Sequence, residues 1–261
     1  MIHFPVFDSY KDRMFAVSTT REGGVSKEKY ASMNLCHYVG DNPEDVMENR
    51  RIFCHTLHVD PYRILFPRQT HDDKIINIDP DFLCLPEDSR QKLLYGMDAI
   101  VTNVAKVCIG ISTADCVPVL LYDKDKQAIG AIHAGWRGTV RQITTQTVNF
   151  MANTFGTKPK DLIVAIAPCI SKESYEVGDE LYDTFDKAGF PVGILFSKNP
   201  GTGKFHLDLR EANRGLLIKA GIPENNIYIS ELCTFKNPDI IFSARKSGIY
   251  SGRMASCIML R

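Results

Sequence analysis

The middle of the chain alternates short apolar runs with polar breaks, a spacing that suits strands better than long amphipathic helices. Strands are predicted over residues 97–102, 107–112, 116–122 and 127–133, with others at 14–20, 63–70, 74–78, 162–167 and 205–207. Further strands are expected near Ile227, Ile241 and Ser256. Helices are predicted over 42–58, from Trp136 or Arg137 to Phe155, over 179–188 and over 210–220. The first has a clear start: Asn42 as cap, Pro43 at the first helical position, then Glu44 and Asp45 at the positive helix end. Several strands follow one another with no helix between them. That implies antiparallel pairs, so the expected fold is an α/β (α+β) mixed sheet rather than a doubly wound one. No linker, repeat or low-complexity stretch divides residues 1–261, which predicts a single domain.

Two of the apolar runs flank Asp123-Lys124-Asp125-Lys126, a polar turn that predicts a β-hairpin. With Lys124 and Asp125 at the turn centre, Val117 faces Ile132, Leu120 faces Ile129 and Cys116 faces His133. Facing side chains lie roughly 4.5–5.5 Å apart at Cβ, whereas a one-residue slip sends them to opposite faces. Pro118 cannot donate to a ladder, so this strand is expected at an edge or with a bulge. A Cys beside a His serves either thiolate chemistry or zinc binding. The alternative is a buried apolar thiol next to a satisfied core histidine.

The strand is followed by Ala134-Gly-Trp-Arg-Gly138, at a strand-to-helix junction. There the helix N-terminus and Arg137 could take an anion, or the segment is a tight turn packed around the only tryptophan. His71, at the end of a predicted strand, is a third candidate. His55 and His58 read as a solvated helix face, and His3, His37 and His206 carry no local signal.

Composition narrows the partner. Lys plus Arg and Asp plus Glu are both 31, so no global field favours nucleic acid or an acidic membrane; a small molecule is expected. The N-terminal residues lack the basic and apolar regions of a signal peptide, and no apolar run approaches the ~20 residues of a membrane span. The eight cysteines include no CxxC pair and read as reduced thiols, which predicts a cytoplasmic location.

Taken together, Ser18-Thr-Thr-Arg-Glu-Gly-Gly-Val-Ser26, Asn34-Leu35, Val39-Gly40-Asp41, Gln69-Thr-His71, Thr113-Ala-Asp-Cys-Val-Pro118 and His133-Ala-Gly-Trp-Arg-Gly138 closely resemble the YfiH-like (polyphenol oxidase, laccase-domain) family. Ala167-Pro-Cys-Ile170, Tyr175-Glu-Val-Gly178, Leu232-Cys-Thr234 and Phe242-Ser-Ala-Arg245 extend the likeness over almost the whole chain. The resemblance implies a layered sandwich similar to the catalytic domain of cytotoxic necrotizing factors. It implies a zinc site of His71, Cys116 and His133, which would also be catalytic, with Asn34, Arg137 and Arg245 on the substrate. Asp72 stands where the family has Gly, and Arg245-Lys246 where it has Arg-Arg, which would alter the His71 turn and weaken a paired anion contact.

Family members are described as polyphenol oxidases, as purine nucleoside phosphorylases with adenosine deaminase activity, and as peptidoglycan-precursor editing hydrolases. Multicopper oxidation needs histidine clusters such as HxH, and the seven histidines form none. The HxE and PCxxC signature of zinc nucleoside deaminases is also missing. The expected function is therefore phosphorolysis of adenosine, inosine and methylthioadenosine with an adenosine deaminase side activity, with nucleoside and phosphate as partners. The alternatives are the editing hydrolase and a non-enzymatic metal-binding protein. The expected assembly is a monomer or weak homo-oligomer.

Overall fold

In the computed structural model, which describes residues 1–261, the chain folds into three sheets and the helices that cover them. A six-stranded sheet has the order Ile227–Ile229, Leu162–Ile166, Val117–Asp123, Ala128–Ala134, Ala99–Thr102, Ile75–Asn77. Its two outermost pairs are parallel and the inner ones antiparallel, so the predicted mixed sheet is present. A five-stranded sheet has the order Ile2–His3, Met14–Ser18, Met254–Leu260, Cys108–Thr113, Ile64–Leu65. A small sheet of Glu176–Val177, Phe205–Leu207 and Phe196–Lys198 lies beside them in sequence order 1-3-2.

The two large sheets pack face to face. Ile109, Ile111 and Ile258 from one meet Ile100, Leu120, Tyr122 and Ile129 from the other in a single core. Residues one position out of phase, Val117, Val119, Leu121 and Ile132, point the other way, against the helices Ile143–Phe155 and Leu209–Lys219. Helix Pro43–Leu57 covers the far face of the five-stranded sheet through Phe53. The result is a four-layered helix–sheet–sheet–helix sandwich. Every residue of Val117–Asp123 and Ala128–Ala134 is buried, which explains why their sequence reads as continuous apolar runs rather than alternation. Each large aliphatic side chain so enclosed contributes about 1.5–3 kcal/mol.

The hairpin differs from its predicted register by two residues. Val117 pairs with Ala134 and Pro118 with His133. The loop is Lys124–Gln127, four residues rather than two, because the buried Asp123 carboxylate accepts from the backbone N–H groups of Asp125 and Lys126, and Gln127 takes φ +50°. An even slip leaves every side chain on its predicted face, so Cys116 and His133 still share one side of the sheet, now as diagonal neighbours.

Pro118 also differs from expectation, since its strand is central and paired on both sides. Its carbonyl accepts from Ala167 N–H, just beyond the last ladder pair, Val119 with Ile166. The missing N–H therefore falls one residue beyond the end of that ladder.

Other boundaries moved as well. The predicted helix from Trp136 to Phe155 breaks into Trp136–Val140 and Ile143–Phe155, with Gln142 left-handed at φ +62° between them. The predicted strand 63–70 shrinks to Ile64–Leu65, with Pro67 two residues on, and no strand forms near Ile241, which is buried in a loop.

Candidate metal centre

Cys116 and His133 sit at the open end of the hairpin, away from its loop, on the face that looks between the two large sheets. Pro118 and His133 form a non-hydrogen-bonded pair, because His133 N–H turns outward to the Asp98 carbonyl at 2.8 Å. Such pairs hold side chains close. His71 arrives from the loop after Arg68 and takes φ +62°, a left-handed conformation that costs a non-glycine residue free energy. What holds it there is Asp98. This fully buried carboxylate accepts from the backbone N–H groups of Thr70, His71 and Asp72 at 2.9–3.0 Å. The same carboxylate accepts from His133 Nδ1 at 2.6 Å. One acidic side chain thus fixes the backbone of one ligand candidate and the ring of another.

The donor atoms of His71, Cys116 and His133 all lie within 4.8 Å of one another. The two imidazole rings meet edge to face, with centroids 4.8 Å apart. With His133 Nδ1 engaged by Asp98, its Nε2 is the nitrogen left to bind, the usual arrangement of a metal-ligating histidine. The backbone makes room as well: a Cβ on Gly135 would lie 3.1 Å from His71 Cδ2 and 3.2 Å from Cys116 Sγ. Two neutral-capable nitrogens and a thiolate fit zinc or another borderline-soft metal. His133 is buried, Cys116 half-buried and His71 exposed, so the cluster opens to solvent on the His71 side.

Electrostatics make the thiol acidic. Burial raises the Cys116 pKa, but the His133 charge and hydrogen bonds from His133 and His71 outweigh it and bring it down to about 6. Burial lowers the His133 pKa, and the Cys116 charge with the Asp98 contact pushes it up to about 9. In metal-free protein Cys116 is therefore a thiolate at neutral pH. Its alkylation by iodoacetamide should rise through a midpoint near pH 6, whereas an ordinary thiol would titrate near 9.0. A midpoint above pH 8 would remove the thiolate–imidazolium pair from the account.

Asp115, next to Cys116, is left-handed at φ +100°. Its carboxylate accepts from Thr234 Oγ1 at 2.5 Å and from Arg245 N–H at 2.6 Å, and its carbonyl from Ile170 N–H. It ties three late segments to the cysteine. Arg245 donates to the Glu176 carbonyl and lies 5.2 Å from the Tyr175 ring centroid. Burial and the charges of Cys116 and Asp115 raise the Tyr175 pKa, and Arg245 and Arg137 oppose them.

Exposed Arg137 stacks on Trp136 at 4.1 Å. The helix it lies in, Trp136–Val140, is only five residues long, so an anion here depends on the guanidinium and not on a helix end.

The other predicted positions divide. Asn34 has no accessible surface and is used up: it donates to Cys36 O and Asp41 Oδ2 and accepts from Cys36 N–H and Arg253 N–H. An amide has two donors and two acceptor sites, so none remains for a substrate, and Asn34 shapes its loop instead. Asp72 pairs with Arg141 and accepts from Asp73 N–H. Lys246 is turned to the Phe235 ring at 4.9 Å. Asp98 and Asp115 were not singled out from the sequence. For Asp98 the signal was an acid heading the apolar run Ala99-Ile-Val-Thr102.

A two-sheet sandwich with one His/Cys/His cluster at its mouth is a scaffold whose donors could hold a metal ion. The comparisons agree in kind. Residues 15–261 match the family described as multi-copper polyphenol oxidoreductase laccase, and the chain belongs to it. A purine nucleoside phosphorylase of Bacteroides thetaiotaomicron is 42% identical over 100% of this chain and 96% of its own. An adenosine deaminase from an unknown prokaryotic organism is 41% identical over 91% of this chain and 90% of its own. The crystal structure of hypothetical protein YfiH from Bacillus licheniformis superposes with TM-score 0.87 at 30% identity, over 95% of this chain and 93% of that one. The eight cysteines are free, and no helix is long and apolar enough to cross a membrane.

Proposed function

We propose that this chain is a purine nucleoside phosphorylase acting on adenosine, inosine and methylthioadenosine, with adenosine deamination as a side activity. His71, Cys116 and His133 would hold one zinc ion. The observation that carries this reading is the convergence of those three donors within 4.8 Å at a solvent-facing mouth. The phosphorylase and deaminase relatives give it a substrate class. Three protein ligands leave a fourth position, where bound zinc would polarise a water or a substrate oxygen.

The chain's own residues do the rest. Asp98 holds the His133 ring through Nδ1 and thereby aims Nε2 at the centre. Arg137, stacked on Trp136, presents a planar fork suited to two phosphate oxygens. Arg245 is fixed through its backbone by Asp115 and leans on Tyr175, whose ring offers an apolar face beside the thiol. In phosphorolysis a phosphate oxygen bonds to the sugar C1′ as the C1′–N9 bond breaks, and a proton passes to the departing purine. Deamination uses water and needs no phosphate.

Two measurements test this. Product analysis with adenosine and inosine should show purine release that rises with phosphate and saturates, while ammonia release from adenosine stays phosphate-independent. If no purine appears at any phosphate level, yet an amino acid is cleaved from a nucleotide-linked cell-wall precursor, the editing hydrolase takes its place. Replacing Arg137 with Lys keeps the charge but loses the fork, so the KM for phosphate should rise about tenfold with little change in nucleoside KM. An unchanged phosphate KM would reassign Arg137 to packing on Trp136.

A further inference from the structure

A second cavity, of about 670 Å³, opens between helix Pro43–Leu57, strand Ile64–Leu65 and helix Glu87–Leu94. None of His71, Cys116 and His133 lines it. Its walls carry three guanidinium groups, those of Arg50, Arg68 and Arg90, and no carboxylate lies within 4.0 Å of any of them. Glu87 and Asp88 also line the cavity, and Glu87 is engaged by Gln91. Arg50 spends its Nε on the Leu35 carbonyl and lies over the Phe66 ring at 5.5 Å. Arg68 packs against the rings of Tyr38 and Tyr95, at 5.6 and 5.2 Å. Arg90 reaches the Tyr62 carbonyl, while its buried Nε has no partner.

Arg50 and Arg90 are half-buried and Arg68 is exposed, and none of the three has a carboxylate in contact, so an anion seated between them would complete the cluster. Loss of solvent around His37 is the main reason its pKa falls to about 4, and the charges of Arg50 and Arg68 add to it. Exposed Tyr62 and Tyr95 stand at the rim and offer flat faces to a ring. The volume suits a ligand of nucleotide size.

We propose that this cavity is a binding site, separate from the metal centre, for a phosphate-bearing small molecule with a planar ring, of the nucleoside monophosphate class. The phosphate sits among Arg50, Arg68 and Arg90 and the ring lies against the rim tyrosines. The proposal is independent of the reaction assigned to the metal centre.

Calorimetric titration with AMP tests it on the full chain. Binding to wild type is expected, with affinity at least tenfold weaker in Arg68→Ala and in Arg90→Ala but unchanged in Arg137→Ala. Inorganic phosphate should compete with AMP and adenosine should not. Arg90→Ala should keep the wild-type rate on adenosine, which also reports that it has folded. The idea fails if AMP binds both arginine variants as it binds wild type, if only Arg137→Ala weakens it, or if adenosine displaces AMP while phosphate does not.

Discussion

Replacing Cys116 with Ala is expected to remove the proposed purine release from adenosine and inosine down to the uncatalysed background, and with it the metal binding proposed for the cluster. The side chain has two uses that fail together. It supplies the one sulfur donor of a three-donor cluster, and its thiolate is the negative charge that faces His133. Removing a partner that merely orients a ligand costs roughly 10–100-fold in metal affinity, and removing a ligand costs more. Folding should survive, because Cys116 is only half-buried and lies at the open end of the hairpin, outside the strand itself. Metal content by mass spectrometry, circular dichroism and product analysis on one preparation separate the possibilities. A folded Cys116→Ala protein that retains both metal and phosphorolysis would show that the two histidines suffice and that the thiol is incidental.

How far the sequence reached differs between fold and site for a physical reason. The hairpin, the mixed sheet and the principal helices were legible because apolar runs, turn residues and caps are local signals. The register was legible only modulo two. The length of the loop depends on a buried Asp123 carboxylate gathering the amides of Asp125 and Lys126, and nothing in a polar tetrapeptide announces that. The face assignment survived because side chains alternate with period two, so an even error is invisible to it.

Pro118 pointed to an edge because a missing donor counts against a ladder. It sits in a central strand because the neighbour on its N–H side has already ended, a fact about residues some fifty positions away. The break at Gln142 and the loss of a strand near Ile241 are likewise tertiary outcomes. At the site, Cys116 and His133 came from local pairing logic, whereas His71 was a strand-end candidate that only the family resemblance joined to them. The polar groups that hold these three were not legible. Asp98 and Asp115 act through backbone amides distant in sequence, and the partners of an acid in an apolar run cannot be read from the run.

Substitutions at Asp98 should uncouple the metal centre without touching a ligand. The carboxylate has no accessible surface and receives four donors, the N–H groups of Thr70, His71 and Asp72 and the Nδ1 of His133. Burial alone would raise its pKa. The hydrogen bond and charge of His133, with the amides of Asp72 and Thr70, outweigh that and hold the group below the usual carboxylate range. Asp98→Ala leaves all four donors facing an apolar gap, a loss on the order of 3–5 kcal/mol of stability for a broken buried charged contact.

Asp98→Asn is the more informative variant. It preserves volume and one acceptor, but its amide N–H₂ confronts groups that are themselves donors. Stability should fall by about 1–3 kcal/mol in urea denaturation of metal-free protein. The left-handed His71 backbone then loses its tether, and the His133 ring loses the contact that selects Nε2 for the metal. Affinity for zinc, measured against a competing chelator, should drop roughly 10–100-fold with the three ligands intact. The same variant should show a higher alkylation midpoint for Cys116, since a less basic His133 favours the thiolate less. Native zinc affinity in a folded Asp98→Asn protein would reduce Asp98 to a loop anchor and leave the orientation of His133 to packing alone.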